Sequence, residues 1–256
     1  GESAWLILGL PGAALTAGMF ELWTVVGCIA GIMFSWWVIA KPLRLATEKF
    51  NALSLPELLS KTINDTTGVI RLASAMIIIF FFTFYVAAQF AGAGKVLNVT
   101  FGISPMAGMV LGALIIVGYT ILGGFFAVAW TDLVQGIIMI GTLVILPVVG
   151  FIELTGLDGF TAPVWDMSNL YNGKTGLPAL TAAIGGLSWG LGYMGQPHLV
   201  TRFMAIDSSD NIKTARRIAF VWAIPAFFGS MIIGLVGVHL VNSGVLPELS
   251  DPEKLM

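Results

Sequence analysis

The sequence predicts an all-α, polytopic membrane protein, and three observations carry that expectation. Hydrophobic residues make up 57% of the chain and charged ones only 10%, against roughly 25% charged in an ordinary soluble domain; the mean hydropathy is +0.93. Apolar runs of about 20 residues, the length a helix needs to cross a bilayer, recur along the whole chain. The basic residues gather in the connections between those runs. The formal net charge of −2 points to no partner class, because in such a chain placement of charge matters more than its sum.

Taken in order, the runs predict seven spans, at 3–20, 22–40, 68–94, 105–124, 130–153, 178–203 and 218–242. The first holds Gly9, Pro11, Gly12 and Gly18, and the second holds Gly27 and Gly31, four apart. The connection 41–66 carries Lys41, Arg44, Lys49, Pro56 and Lys61. Gly108 and Gly112 repeat the small-xxx-small spacing of close helix contact in the fourth span. The connection 156–176 is polar and loop-like, with Gly156, Gly159, Pro163, Asn172 and Gly173; the connection 204–217 runs from Asp207, Ser208 and Ser209 to Lys213, Arg216 and Arg217. Neither a charge run nor a linker marks a boundary, so residues 1–256 are expected to be one integral domain. The chain opens on Gly-Glu-Ser and enters apolar sequence at once, which reads as a fragment of a longer protein.

Cytoplasmic loops hold the excess of Lys and Arg. With 41–66 and 204–217 inside, nine basic residues (Lys41, Arg44, Lys49, Lys61, Arg71, Arg202, Lys213, Arg216, Arg217) are cytoplasmic and three (Lys95, Lys174, Lys254) external. The C-terminal stretch Glu248 to Met256 is then extracellular and the localisation is the cell membrane. Cys28 is the sole cysteine, so no intrachain disulfide is possible.

The sixth span organises the rest. Gly185 to Met204 is long enough to cross a bilayer yet contains Gly186, Gly190, Gly192, Gly195 and Pro197, and a helix so interrupted should not stay continuous. In lipid, freed backbone groups survive only against protein or a polar cavity, and Gly/Pro-interrupted spans in corresponding halves mark binding sites in transporters. The first span is the other glycine- and proline-rich one, five spans earlier. An odd offset reverses the membrane direction, as an inverted repeat of five helices requires. Each of these glycines also has a plain packing explanation. Gly190-Leu-Gly192-Tyr-Met-Gly195 spells G-x-G-x-x-G, but that fingerprint needs a preceding strand and a βαβ unit, which a membrane span does not supply.

Longer motifs carry a family resemblance. Tyr119-Thr-Ile-Leu-Gly-Gly-Phe-Phe-Ala-Val-Ala-Trp-Thr-Asp-Leu-Val-Gln135 resembles the signature of the sodium:solute symporter family. Trp189-Gly-Leu-Gly-Tyr-Met-Gly-Gln-Pro-His198 with Arg202-Phe-Met-Ala, and Ser3-Ala-Trp5 with Gly9-Leu-Pro-Gly12, resemble its sodium/proline symporter branch. The resemblance implies a leucine-transporter-type fold of two inverted five-helix repeats. Here it would be truncated to about seven transmembrane helices: 1–155 is the first repeat without its start, and 177–256 the first two helices of the second.

It also implies roles residue by residue. Trp189 and Tyr193 match substrate-contacting positions; four apart, they share a helical face, and a Trp/Tyr pair can cover an apolar imino-acid ring while the hydroxyl bonds its polar end. Interfacial or packing aromatics remain the alternative. Pro197 matches the helix-breaking position, Gln196 offers an amide beside it, and Tyr85 matches an aromatic near the substrate. Gln89, one turn beyond Tyr85, has no matching family position; for both residues a role at the site and a plain interhelical hydrogen bond stand as equal alternatives. Ser3 and Ala4 fall on the first-helix part of the substrate site. Na⁺, the coupling ion, is expected on the Glu2 main-chain carbonyl and the Ser3 hydroxyl, since hard cations take oxygen ligands; the branch's acid one position earlier is Gly1 here. Asp132 matches an acid tied to sodium entry or coupling, with a helix N-cap as the alternative, and Arg202 matches a residue at the cytoplasmic end of the sixth span, with a topology anchor as the alternative.

The expected function is therefore Na⁺-coupled symport of a small solute, L-proline first and another amino acid or organic solute second, by alternating access. The partners are the solute, Na⁺ and the bilayer, with no nucleic acid. A seven-span receptor matches the helix number but not the two interrupted spans. An enzyme would need a catalytic constellation, and His198, His239 and Cys28, without an H-E-x-x-H, offer little.

Overall fold

The computed structural model describes residues 3–157 and 164–255, and all regular structure among them is helical. A π-turn, Trp5–Gly9, runs into α1 (Leu10–Ala17); a 3-10 turn, Gly18–Glu21, leads to α2 (Leu22–Phe34), and a second π-turn, Ser35–Ile39, to α3 (Ala40–Phe50). Then come α4 (Leu55–Thr62), α5 (Val69–Phe101) and α6 (Pro105–Thr155). The C-terminal part holds α7 (Gly176–Leu187), α8 (Trp189–Gly195), α9 (Pro197–Met204) and α10 (Ile212–Asn242).

Among the described residues, four helical stretches are long and apolar enough to cross a membrane: Trp5–Phe50, Val69–Phe101, Pro105–Thr155 and Ser209–Asn242. In α5 none of the most apolar window is buried by the protein, and Ile79, Phe80, Phe81 and Phe84 are 67%, 60%, 64% and 63% exposed. Water would not tolerate such a surface on an isolated chain, whereas lipid is its natural solvent. The protein is a multi-pass membrane protein.

The difference between four stretches and the seven expected spans has a local cause. Trp5–Phe50, at 46 residues, would be about 69 Å long if straight, over twice the hydrocarbon thickness. It is interrupted at Gly18 (φ 60°, ψ −139°), between the expected first and second spans. Likewise α6 is kinked at Gly124 (φ 55°, ψ −148°), where the expected fourth span ends. Both glycines occupy a region of backbone space essentially closed to other residues. The expected sixth span is divided among α7, α8 and α9, each far shorter than a crossing.

The connection 41–66, expected as a loop, is largely helical. Ser54 caps α4: its hydroxyl accepts from the Glu57 N–H at 3.4 Å, and the Glu57 carboxylate reaches back past it to accept from the Leu53 N–H at 2.9 Å. Asp65 precedes α5 and accepts from the Thr67 hydroxyl (2.6 Å) and the N–H groups of Thr67, Gly68 and Ile70. Those donors, the Thr67 hydroxyl foremost, hold its pKa below the usual carboxylate value.

The described structure forms two compact units. The first comprises Gly1–Val25, Ala87–Gly186 and Ile224–Met256. Within it α5 and α6 approach through the glycine spacing seen in the sequence: a Cβ on Gly108 would lie 3.1 Å from the Gly94 Cα, and one on Gly112 would lie 3.1 Å from the Ala93 Cβ. The Asn169 amide donates to the Ala17 carbonyl (3.2 Å) beside the Gly18 break, and the Trp23 indole donates to the Leu170 carbonyl (3.0 Å). After α10, Pro252 and Glu253 lie against Gly12, while Lys95 pairs with Asp251 at 2.9 Å and with Glu253. The Lys95 ammonium draws the Asp251 pKa below its ordinary value.

The second unit comprises Val26–Val86 and Leu187–Ala223. Its core joins α3 to α9 and the start of α10 through Ala40, Phe203 and Ile212, with Trp36 edge-on to Phe203 (4.7 Å), and a second cluster of Ala52, Leu58 and Met204 seats α4. Arg44 donates from Nε to the Ile206 carbonyl and from Nη2 to the Asp207 carbonyl (2.9 Å).

Candidate functional site

The interruption expected in the sixth span is present, and its backbone can be accounted for bond by bond. α8 ends because Gln196 leaves the helical region (φ −61°, ψ 118°), as the residue before a proline is pushed to do. The Gln196 N–H still reaches the Gly192 carbonyl at 3.1 Å. The next donor should have served the Tyr193 carbonyl, but Pro197 has no N–H. Ser35 takes its place: its hydroxyl, 2% exposed, lies 2.9 Å from the Tyr193 carbonyl and 2.9 Å from that of Gly31. Beyond the break, α9 starts at Pro197, and the Gln196 carbonyl accepts from the N–H groups of Leu199 and Val200, both at 3.0 Å.

Ser35 can reach that far because α2 and α8 touch backbone to backbone. A Cβ on Gly31 would collide with the Gly190 carbonyl, and one on Gly190 with the Gly27 carbonyl. The pair Gly27 and Gly31 is thus a packing pair, and what it packs is the interrupted span.

The first span behaves differently from expectation. It is helical through Gly9, Pro11 and Gly12, not broken, but it opens its hydrogen-bond ladder by a π-turn. The Leu10 N–H bonds the Trp5 carbonyl, one residue further back than in an α-helix. The Leu6 carbonyl then faces Pro11, which has nothing to donate. A buried serine again supplies the proton: the Ser230 hydroxyl, fully buried in α10, lies 2.6 Å from the Leu6 carbonyl. Two prolines thus orphan two carbonyls, and each is satisfied by a serine from another helix.

The structure places the sequence-predicted residues as follows. In the second unit, Trp189 is 49% exposed on α8, while Tyr193, Gln196, Pro197 and Tyr85 are half-buried. Tyr85 meets the interrupted span through His198, their rings stacked at 5.2 Å and 27°, and Phe82 meets the same imidazole edge-on at 5.6 Å. Arg202 is half-buried and donates from Nη1 to the His198 carbonyl at 2.6 Å.

In the first unit, Ser3 accepts at its carbonyl from the Leu6 N–H (3.1 Å). The Ala4 N–H, an orphan donor of the first helical turn, donates to Gln89 Oε1 at 2.7 Å, so Gln89 makes the interhelical bond. A Cβ on Gly92 would lie 2.6 Å from the Ala4 Cβ, which fixes the start of that helix against α5. Asp132 lies inside α6, eight residues past the Gly124 kink, and is not an N-cap; neighbouring Thr131 bonds back to the carbonyls of Ala127 and Val128, each at 3.0 Å. Glu2, the expected carbonyl donor to Na⁺, lies outside the described residues, as does Gly1.

Ser35, Ser230 and His198 are members of these arrangements that the sequence reading passed over. The signal for the serines was a hydroxyl within an apolar run, which is ambiguous until the helix it faces is known. Gly186-Leu-Ser-Trp-Gly190 also spells G-x-S-x-G, the nucleophile elbow of strand-to-helix turns. Here Ser188 joins two helices (φ −64°, ψ −18°), so the string has no catalytic context.

No solved structure matches the chain. Among curated proteins it is 38% identical to the high-affinity proline transporter PutP of Bacillus subtilis, over 99% of this chain and 54% of that one. It is 36% identical to sodium/proline symporter 2 of Staphylococcus saprophyticus and 35% identical to the sodium/proline symporter of Staphylococcus aureus, in each case over 99% of this chain and 49% of the relative. The chain thus spans about half the length of the curated relatives it matches. The family profile described as Sodium:solute symporter family matches residues 2–253, and the chain belongs to that family.

Proposed function

We propose that the full-length protein is a secondary active transporter of the cell membrane that carries L-proline together with Na⁺ by alternating access. The single observation that carries this reading is the span interrupted at Gln196 between α8 and α9, in a chain belonging to a family of symporters. The names of the relatives favour proline over another amino acid or small organic solute.

In this reading Trp189 and Tyr193 cover the apolar ring of the substrate, the Gln196 amide meets its polar end, and Tyr85 lines the same region through its stack on His198. Ser3 and Ala4 contribute from the first helix. Na⁺, as coupling ion, takes the Glu2 carbonyl and the Ser3 hydroxyl, with further ligands from helices beyond this chain. Oxygen donors of this kind suit a hard, singly charged cation. Asp132 and Arg202 belong to the ion pathway or to coupling. Residues 1–155 form one five-helix repeat and 177–256 the start of its inverted partner, with Gly18 and Gly124 as the turns between successive spans. The loops 41–66 and 204–217 face the cytoplasm.

Na⁺ couples to solute only through its different affinities for the outward-open and inward-open states, and each charge moved inward adds about 2.3 kcal/mol per 100 mV. The test is uptake of radiolabelled proline by the full-length protein in proteoliposomes, with and without an inward Na⁺ gradient, beside Tyr193→Ala. Sodium-stimulated uptake abolished by the substitution is the expected result. Uptake of a different solute that proline does not inhibit would transfer the reading to that solute, and sodium-independent uptake would end it.

A further inference from the structure

Six of the nine basic residues of the second unit contrast in how they are engaged; of the others, Lys49 lies over Phe50 and Arg202 donates to the His198 carbonyl. Arg44 is occupied by the Ile206 and Asp207 carbonyls and by Glu48 at 3.6 Å, and Lys61 by Glu57 at 2.8 Å and two carbonyls. Lys41, Lys213, Arg216 and Arg217 make no ion pair among the described residues. Lone positive charges at the end of an apolar helix are common, but one of these four, Arg216, lies over an aromatic ring. Trp37 is 54% exposed; Arg216 lies over its indole at 5.6 Å and Phe220 meets it edge-on at 5.3 Å.

Helix spacing completes the cluster. Lys41 is one turn beyond Trp37, and Lys213 one turn before Arg216, both exposed. Each helix also changes character here: the apolar run of α2 gives way to α3 at Ala40, and α10 turns apolar from Ile218 onward. A half-exposed tryptophan at such a boundary marks headgroup depth. A guanidinium over its face is attracted by the ring quadrupole and keeps N–H donors for a further acceptor. The acids nearby do not neutralise the patch: Glu48 is engaged by Arg44, Asp207 accepts from Asn211 at 2.7 Å, and Asp210 pairs with none of the four cations.

We propose that Trp37, Lys41, Lys213 and Arg216 form a binding site for the phosphate headgroup of an anionic phospholipid, with Arg217 widening the field. The guanidinium and the two ammonium groups bond the phosphate oxygens, and the exposed apolar faces of Val38, Ile218 and Val221, at 50%, 65% and 75%, lie along the acyl chains. The geometry favours a lipid over a soluble anion because the charge sits at the rim of an apolar surface and not in an enclosed cradle.

The test uses purified, delipidated full-length protein in detergent, titrated with phosphatidylglycerol or phosphatidylcholine and read by native mass spectrometry. The unaltered protein is expected to take up phosphatidylglycerol at much lower concentration than phosphatidylcholine. The combined change Lys41→Gln, Lys213→Gln and Arg216→Gln should weaken the anionic lipid on the order of 100-fold, since each basic residue near the surface contributes about a factor of five. Lys61→Gln and Lys174→Gln should leave it unchanged. Equal uptake of the two lipids would overturn the proposal. So would full displacement by glycerol phosphate, which carries the anion without acyl chains. Lost thermal stability with unchanged lipid uptake would also overturn it, because carboxylates elsewhere in the full-length chain would then be the partners of these cations.

Discussion

Ser35 and Ser230 are small, buried and chemically plain, yet each closes a hydrogen bond that a proline leaves open. A buried carbonyl without a donor costs about 1–3 kcal/mol, and lipid offers no water to compensate. Ser35→Ala and Ser230→Ala are each expected to destabilise the full-length protein by about that amount, read as a lower melting midpoint in detergent. The two should separate in uptake assays. Ser35→Ala frees the carbonyl of Tyr193 itself and should raise the KM for substrate more than it lowers the maximal rate. Ser35→Thr, which keeps the hydroxyl, should restore KM even where it costs some packing. Equal KM in all three proteins would remove Ser35 from any positioning role. At this scale the sequence was uneven. Trp189, Tyr193 and Pro197 stood out by their glycine-rich setting, while for Gln89 a site role and an interhelical bond were equally legible, and the structure shows the bond, to Ala4. The serines were silent because a hydroxyl in an apolar run looks the same whether it bonds its own helix, as Thr83 does to Ile79, or another.

At the scale of elements, interruption rather than continuity positions the chemistry, and glycine does two separable jobs. Gly27, Gly31 and Gly190 let two backbones touch, whereas Gly18 and Gly124 take a conformation other residues reach only at a cost. A Cβ on Gly124 would meet nothing within 4 Å, so its requirement is conformational alone. Gly124→Ala should therefore cost about 1–3 kcal/mol, while Gly141→Ala, equally open but inside regular helix, should stabilise by about 0.5–1 kcal/mol. Thermal melts of the two variants check this; equal shifts would mean that the α6 kink relaxes freely. The break at Gln196 was legible because proline removes a donor wherever it stands. The π-turn before Pro11 was not, because a proline near a helix start is tolerated. Only the register of the Leu10 N–H shows that the ladder has slipped.

For the whole molecule, the asymmetry of Lys and Arg sets an expected orientation. In full-length protein with Cys28→Ser, Lys174→Cys should react with a membrane-impermeant maleimide added to intact cells, and Lys213→Cys only after permeabilisation; the reverse pattern would invert the topology. Composition and the recurrence of apolar runs determined by themselves that the chain is helical and lives in lipid, because length and hydropathy are properties of the segment alone. The motifs around Tyr119 and Trp189 determined the family. Tertiary structure decided the rest: which carbonyls lose their helical donor and who serves them, that the connection 41–66 folds into helices, and that Arg216, without an ion pair among the described residues, lies over Trp37. Each of the pairings, Ser35 with Tyr193, Ser230 with Leu6, Arg216 with Trp37, joins partners distant in sequence, and a pairing across such separations is fixed only when packing brings the two helices together.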